Sequence, residues 1–241
     1  MFTDSSSFVS SALPVWIVLN TADPGKCSDH HLVLPCIKHI ELDAGVKCSS
    51  TSLRSLFNTL LTLDHEVMCN LQDCEITSCV EDKVRGSSTN TQAHITTGVN
   101  NTLHIRDFND NTGLWNALHG LNIKNLCLSD KHESVNVNQA DSLSKLLSSL
   151  THLDTLSIKV NNDSPGLWEA LHGLNIKVMS LSGLYACLNL NHVDYLAQSL
   201  SSLKHLETLS IDVYAHRPGL LKGIHGLNIK SLKLGGMTMN Y

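Results

Sequence analysis

The sequence predicts an α/β solenoid, in which short parallel strands alternate with outer helices, and three observations carry that expectation. First, the chain repeats itself: Gly113-Leu114-Trp115 returns as Gly166-Leu167-Trp168 and again as Gly219-Leu220-Leu221, each 53 residues after the last. The two full copies agree at about half of their positions, and the agreement falls on Leu, Ile, Gly, Trp and paired Ser, as it does in a repeated structural unit. Second, each copy carries two short runs with apolar residues at strand spacing, Ile123-x-x-Leu126-x-Leu128 and Leu153-x-x-Leu156-x-Ile158 in the first. Third, apolar residues between those runs follow helical spacing, as in Ala140, Leu143, Leu147 and Leu150 and again in Val193, Leu196, Leu200 and Leu203.

Taken from the N-terminus, Val15 to Leu19, Ile37 to Leu42 and Glu66 to Leu71 are strand candidates. Leu56-Phe57-Asn58-Thr59-Leu60 resembles Leu114-Trp115-Asn116-Ala117-Leu118, a short helix of the regular repeat. Residues 82–101, with Gly86-Ser87-Ser88-Thr89-Asn90, read as an irregular insertion or a poorly formed return segment. The regular part opens at Thr102-Leu103-His104-Ile105, which aligns with Thr155-Leu156-Ser157-Ile158. In it, Asn138 and Asn191 are placed to cap the long helices, since an Asn side chain accepts from free first-turn amides. The short helix has Ser164 as N-cap, Pro165 at its first position and Gly173 as its stop. Strands then recur as Ile176-x-x-Met179-x-Leu181, Leu206-x-x-Leu209-x-Ile211 and Ile229-x-x-Leu232-x-Leu234, for about eight or nine strands in all. One domain spanning residues 1–241 is expected, with degenerate repeats over 1–100 and regular ones over 101–241.

Composition narrows the partners. An apolar fraction of 42% is ordinary for a folded chain, and a net charge of −5 without any Lys/Arg run offers no pull toward phosphate backbones or anionic lipid. Nucleic acid and membrane are therefore poor partners. Phe8 to Leu19 is too short and too interrupted to span a bilayer, and the residues before it carry Asp4 and no cation where a secretory signal wants positive charge. That points to the cytoplasm. The eight cysteines fit no ligand set: Cys69, Cys74 and Cys79 lack the tight pairs of a zinc site, so reduced thiols are expected.

With these residues in view, the chain resembles leucine-rich-repeat proteins of the ribonuclease-inhibitor type. Leu153-x-x-Leu156-x-Ile158-x-x-Asn161 carries their full signature. The wording of Leu114 to Lys124 and of Leu147 to Ile158 is similar to arrays in large invertebrate families, some attached to NACHT-type innate-immune receptors, and this closer likeness covers roughly residues 100–241. The resemblance implies a horseshoe with a concave parallel sheet and a protein-binding role, as in the sensing array of an immune-type receptor. The chain departs from the pattern at the Asn position, where Lys131, Leu184 and Tyr214 stand at the equivalents of Asn161.

Candidate sites follow. Lys124, Asp154, Lys177, Glu207 and Lys230 occupy the second position of successive strand runs, and their charges alternate strictly. On a parallel sheet they would stand side by side as a ladder of opposite pairs, either fixing register or presenting a polar partner surface on the concave face. His119, His172 and His225 recur at the repeat period, each before a glycine, where a histidine suits a helix C-terminus. Strands are about 4.8 Å apart, so these histidines, two modules apart, are too distant to share an ion. Cys27, His30, His31 and Cys36 have metal-binding content without metal-binding spacing. No metal or cofactor is expected.

The face between the ladder residues, with Thr155, Ser157, Ser180, Thr208, Ser210 and Ser231, is small and polar. The chain has no phosphate-binding Gly-rich loop with Lys, no Gly-x-Ser-x-Gly and no His-Glu-x-x-His, so it is not read as an enzyme. Sequons at Asn100 and Asn162 matter only on a secretory route. Only seven residues follow Leu234, too few for a covering helix, so the reading is of a piece of a longer protein or of a C-terminal edge that self-associates. The expected function is a protein-interaction module; the alternative is a structural or orphan repeat fragment with no dedicated ligand.

Overall fold

Alternating apolar positions become strands here because one face of the pleat is buried under a layer of helices. The computed structural model describes residues 15–18, 37–42, 46–77, 90–106, 112–129, 140–159, 165–184, 190–213 and 224–235. Cys27, His30, His31, Cys36, Asn138, Asn161 and Ser164 lie outside the described residues. The elements in order are β1 (Val15–Val18), β2 (Ile37–Leu42), β3 (Lys47–Ser49), α1 (Ser50–Leu61), β4 (Val67–Thr77), β5 (Asn90–Gly98), β6 (Thr102–Arg106), α2 (Thr112–Leu118), β7 (Asn125–Ser129), α3 (Ala140–Ser149), β8 (Thr155–Lys159), α4 (Pro165–Ala170), β9 (Val178–Leu184), α5 (Leu190–Ser202), β10 (Thr208–Val213) and β11 (Ser231–Gly235).

All eleven strands join one sheet, ordered β1-β2-β4-β5-β6-β7-β8-β9-β10-β11, with β3 attached to β4. From β6 to β11 every pairing is parallel, and the register is even except for a shift between Ile211 and Val213 where β10 meets β9, so that Leu126, Leu156, Met179 and Leu209 form one buried row and Leu128, Ile158, Leu181 and Ile211 the next. None of these eight is more than 2% exposed. The helices pack one on the next in chain order and alternate between long and short, at 12, 7, 10, 6 and 13 residues. Trp115 and Trp168 of the short helices are buried, as are Leu143 and Leu147 on the apolar face of α3 and Leu150 just after it.

Three features differ from the sequence expectation. Residues 90–98 are not irregular: they form β5, antiparallel to both β4 and β6. The β5–β6 hairpin turns through Asn100 and Asn101 at φ 61° and 55°, a left-handed backbone that Asn tolerates better than most residues. With β3 it raises the number of strands among the described residues to eleven. The helix holding Leu56 to Leu60 is a long one, capped by Ser49, whose side chain accepts from the Ser52 amide at 3.1 Å. Asn191 falls one residue inside α5 and so does not precede the helix it was expected to cap.

Two local devices recur at the repeat spacing. Gly120, Gly173 and Gly226 end the short-helix turns at φ 74°, 73° and 89°, directly after His119, His172 and His225, which are exposed. The amide of Gly120 donates to Ser149 Oγ at 3.0 Å, and that of Gly173 to Ser202 Oγ at 2.7 Å; each hydroxyl donates onward to the carbonyl three residues back in its own helix, Leu146 or Ser199, at 2.6 Å. The second Ser of each repeated pair thus bolts a long helix to the turn of the preceding short one.

No atom lies within 4 Å of a Cβ built on Gly173, so a substitution there is opposed by backbone conformation alone. Gly173→Ala is expected to destabilise by about 1 kcal/mol and Gly173→Asn by less. Ser202→Ala is expected to cost about 1 kcal/mol for the lost bond. Denaturant unfolding of the three variants checks the order.

Candidate functional site

The charged row sits one residue ahead of the strands, along the edge from which β7 to β11 start. There the backbone forms its own ladder. The Lys124 carbonyl accepts the amides of Asp154 and Thr155 at 2.9 and 3.0 Å, and the Asp154 carbonyl those of Lys177 and Val178 at 2.9 and 3.0 Å. The Lys177 carbonyl takes Glu207 and Thr208 at 2.8 and 3.0 Å, and the Glu207 carbonyl Lys230 and Ser231 at 2.7 and 3.1 Å. The series begins at the hairpin, where the Asn101 carbonyl receives Lys124 and Asn125 at 2.9 and 3.3 Å.

Side chains follow the backbone. Lys177 Nζ lies 2.7 Å from Asp154 Oδ1 and Lys230 Nζ 2.9 Å from Glu207 Oε1. The hydrogen bond from Lys177, helped by the charges of Lys177, Lys124 and His152, holds the Asp154 carboxyl below its ordinary 3.8. The same bond, with Glu207 adding, holds the Lys177 ammonium above its ordinary 10.5. The alternation is therefore an edge device whose charges face one another, and it lies beside the pleated face rather than on it.

The open pleated face is itself uneven. From β7 to β10 it presents Cys127, Ser157, Ser180 and Ser210 in one row, all half-buried and small. Across β4, β5 and β6 it presents Met68, Asn70, His94, His104 and Arg106, with His39 and Glu41 arriving from β2. Met68 is 48% exposed. His94 Nδ1 lies 2.8 Å from Asn70 Oδ1, and Asn70 Nδ2 lies 3.4 Å from His39 Nε2. An amide oxygen only accepts and an amide nitrogen only donates, so this pattern assigns the proton to His94 Nδ1 and leaves His39 Nε2 without one. Burial lowers His104 from its ordinary 6.5, the Arg106 charge adds to that, and Glu66 opposes it. Arg106 is exposed and has no hydrogen bond or ion pair to another described residue.

Elsewhere the chemistry is quiet. A shallow groove of about 260 Å³ between the end of α3 and the Gly173 turn is floored by Leu147, Leu150, Leu153, Leu174 and Ile176, with His172 at its side. Burial pushes the Cys69 thiol up to about 12 and the Cys74 thiol up to about 11, which keeps both from forming nucleophilic thiolates. Among the described residues no three His, Cys, Asp or Glu converge on a metal-sized site, and no helix is long and apolar enough to cross a membrane.

The His and Arg cluster was missed in the sequence because it depends on β5. Its signal was present: Ala93-x-Ile95 and Leu103-x-Ile105 flank Asn100-Asn101, a hairpin pattern that puts His94, His104 and Arg106 on one face. No family model, no curated protein and no solved structure matches this chain.

Lys177→Glu sets three acidic groups in sequence and is expected to lower the unfolding midpoint, while Asp154→Lys with Lys177→Glu restores part of it; the difference should shrink in molar salt, where charges are screened within about 3 Å. Because the folded Asp154 value is depressed, its contribution is present above 3.8 and lost as pH falls below it. The folded Lys177 value is raised, so its share is present below 10.5 and lost as pH rises through the elevated value. Unfolding of Asp154→Asn across the acid range should show a shallower fall than the parent chain.

Proposed function

We propose that this chain is a non-enzymatic protein-interaction module, a leucine-rich-repeat horseshoe that engages its partner through the open face of the sheet. The observation that carries the reading is that face: helices cover one side of the strands, and the other is left half-exposed with polar side chains along its length. Two spacings support the curvature. Adjacent strands sit about 4.8 Å apart and packed helices 8–10 Å apart, so a sheet with one helix per strand bends with its open side inward. At the hairpin, α1 packs on α2 while β4, β5 and β6 pass beneath them, so roughly two strand spacings match one helix spacing and the sheet flattens there. The His and Arg cluster occupies this flatter stretch.

A place in the cytoplasm, as the sensing array of an innate-immune-type receptor, rests on the wording of the repeats. The second reading, a structural repeat unit without a dedicated ligand, is favoured by the ladder, whose charges already have complements, and by the serine-rich rows. Affinity capture separates the two. Ser180→Arg with Ser210→Arg, which fills the open face, should abolish capture of a protein that the parent chain retains, while Glu169→Arg on the outer side should not. Capture unaffected by the face variant would favour the structural reading.

The β11 edge is the proposed route of self-association. Leu232 and Leu234 are 44% and 48% exposed, whereas their row partners Leu209 and Ile211 are fully buried. Size-exclusion chromatography with light scattering should show association that grows with concentration and disappears in Leu232→Lys with Leu234→Lys.

A further inference from the structure

We propose that the open face across β4, β5 and β6 carries a carboxylate-binding subsite, in which the Arg106 guanidinium and a protonated His94 together grip one acidic side chain of a protein partner. This rests on the reading of that face as a partner surface and adds the chemistry the partner must bring.

Arg106 and His94 are directly paired across the antiparallel β5–β6 ladder, and both side chains stand on the open face. Side chains so paired have Cβ atoms about 4.5–5.5 Å apart, within the reach of a single carboxylate from both. The Arg106 donors are uncommitted among the described residues. His94 has one nitrogen committed: Nδ1 donates to Asn70, so Nε2 is the nitrogen left to meet a ligand. That bond survives protonation, because an Nδ1–H donor is present in both the neutral ring and the imidazolium.

Asn70 also decides which histidine takes the proton. Its Nδ2 donates to His39 Nε2, so a proton arriving there would set donor against donor. Turning the amide would satisfy a proton on His39 only if the His94 ring also moved its own proton from Nδ1 to Nε2, so as to accept from Nδ2. In the amide orientation present, the site that can take the proton without a clash is His94 Nε2. Binding to a neutral ring takes up one proton from solvent; the carboxylate stays ionised and its two oxygens meet the guanidinium and the new Nε2–H.

The groups facing His94 are consistent with a monoanion. β6 supplies His104 and Arg106, β4 supplies Asn70, and β2 supplies His39 and Glu41, while Glu66, just ahead of β4, acts on His104. Glu75 of β4 is paired with Lys47 at 2.7 Å, and Arg54 of α1 is bonded to the Asn116 carbonyl. One permanent cation with two carboxylates nearby suits a carboxylate, whose planar oxygens match the guanidinium fork, and disfavours a phosphate dianion.

The test is titration of the full chain with an N-acetylated poly-glutamate peptide, followed by calorimetry and by histidine ring NMR, at about pH 6 and about pH 8, on either side of the ordinary histidine range. Affinity should be roughly tenfold higher at the lower pH, with ring shifts at His94 and not at His39. Arg106→Gln should weaken binding roughly tenfold at both pH values, and His94→Gln should remove the pH dependence while keeping the Arg contribution; far-UV circular dichroism checks that both variants fold. Binding indifferent to Arg106→Gln, a pH trend unchanged in His94→Gln, or tighter binding of inorganic phosphate than of the peptide would each overturn the proposal. Absence of peptide binding in a chain whose captured protein partner is still lost on Ser180→Arg with Ser210→Arg would overturn the subsite and leave the partner surface standing.

Discussion

From Asn101 to Lys230, each rung at the start of a strand gives its carbonyl to two amides of the next rung. This doubled backbone contact positions much else in the molecule. It aligns β7 to β11 without slippage at their starting edge, so the Leu, Ile and Met rows of β7 to β10 fall into the buried layer together. A register shift of one residue would turn each row to the open side. The edge ion pairs lie over the same rungs, and their exposure makes them a supplement to a register the backbone has already set.

The helical layer depends on that register and adds its own lock. Long and short helices alternate, and the Ser–Gly bonds join the ends of α3 and α5 to the turn of the short helix before each. The glycine is required by the left-handed turn, the serine by the amide that the turn exposes, so the two recur as a pair. Burial of Trp115 and Trp168 then fills the space under the short helices, where two turns of helix alone would leave a gap.

Against this regular background the β4–β6 region is the exception, and its chemistry differs accordingly. Reversal of one strand sets Asn70, His94 and Arg106, from three consecutive strands, on adjacent positions of the open face. There Met68, His94, His104 and Arg106 stand on the open face, where the row from β7 to β10 has Cys127, Ser157, Ser180 and Ser210, with Lys159 and Asp212 farther along β8 and β10. The bulge between Leu71 and Cys74, with Asp73 at φ 51°, marks the same irregularity along β4. Histidines linked by hydrogen bonds gather where the run of parallel strands is interrupted, whereas at the strand-start edge the pairs Lys177–Asp154 and Lys230–Glu207 already engage four of the five charges.

The alternation of strand and helix, the parallel pairing after β6, the glycine stops and the charge order of Lys124, Asp154, Lys177, Glu207 and Lys230 were legible from local pattern, because each depends on spacing within one module. The open-face cluster was not read, because its one local signal, the hairpin pattern about Asn100-Asn101, says neither how β5 pairs with β4 nor that His39 and Asn70 come to lie beside it. Nor does spacing reveal that the ladder charges lie beside the pleat: Lys124 and Leu126 are two residues apart in the chain, and only strand pairing decides where the extended segment begins. Periodicity is a property of neighbours in sequence, whereas His39, Asn70 and His94 are linked by hydrogen bonds across 31 and 24 residues of chain. Such long-range contacts arise when the sheet closes around its buried rows, and they settled which polar residues of this protein share a site.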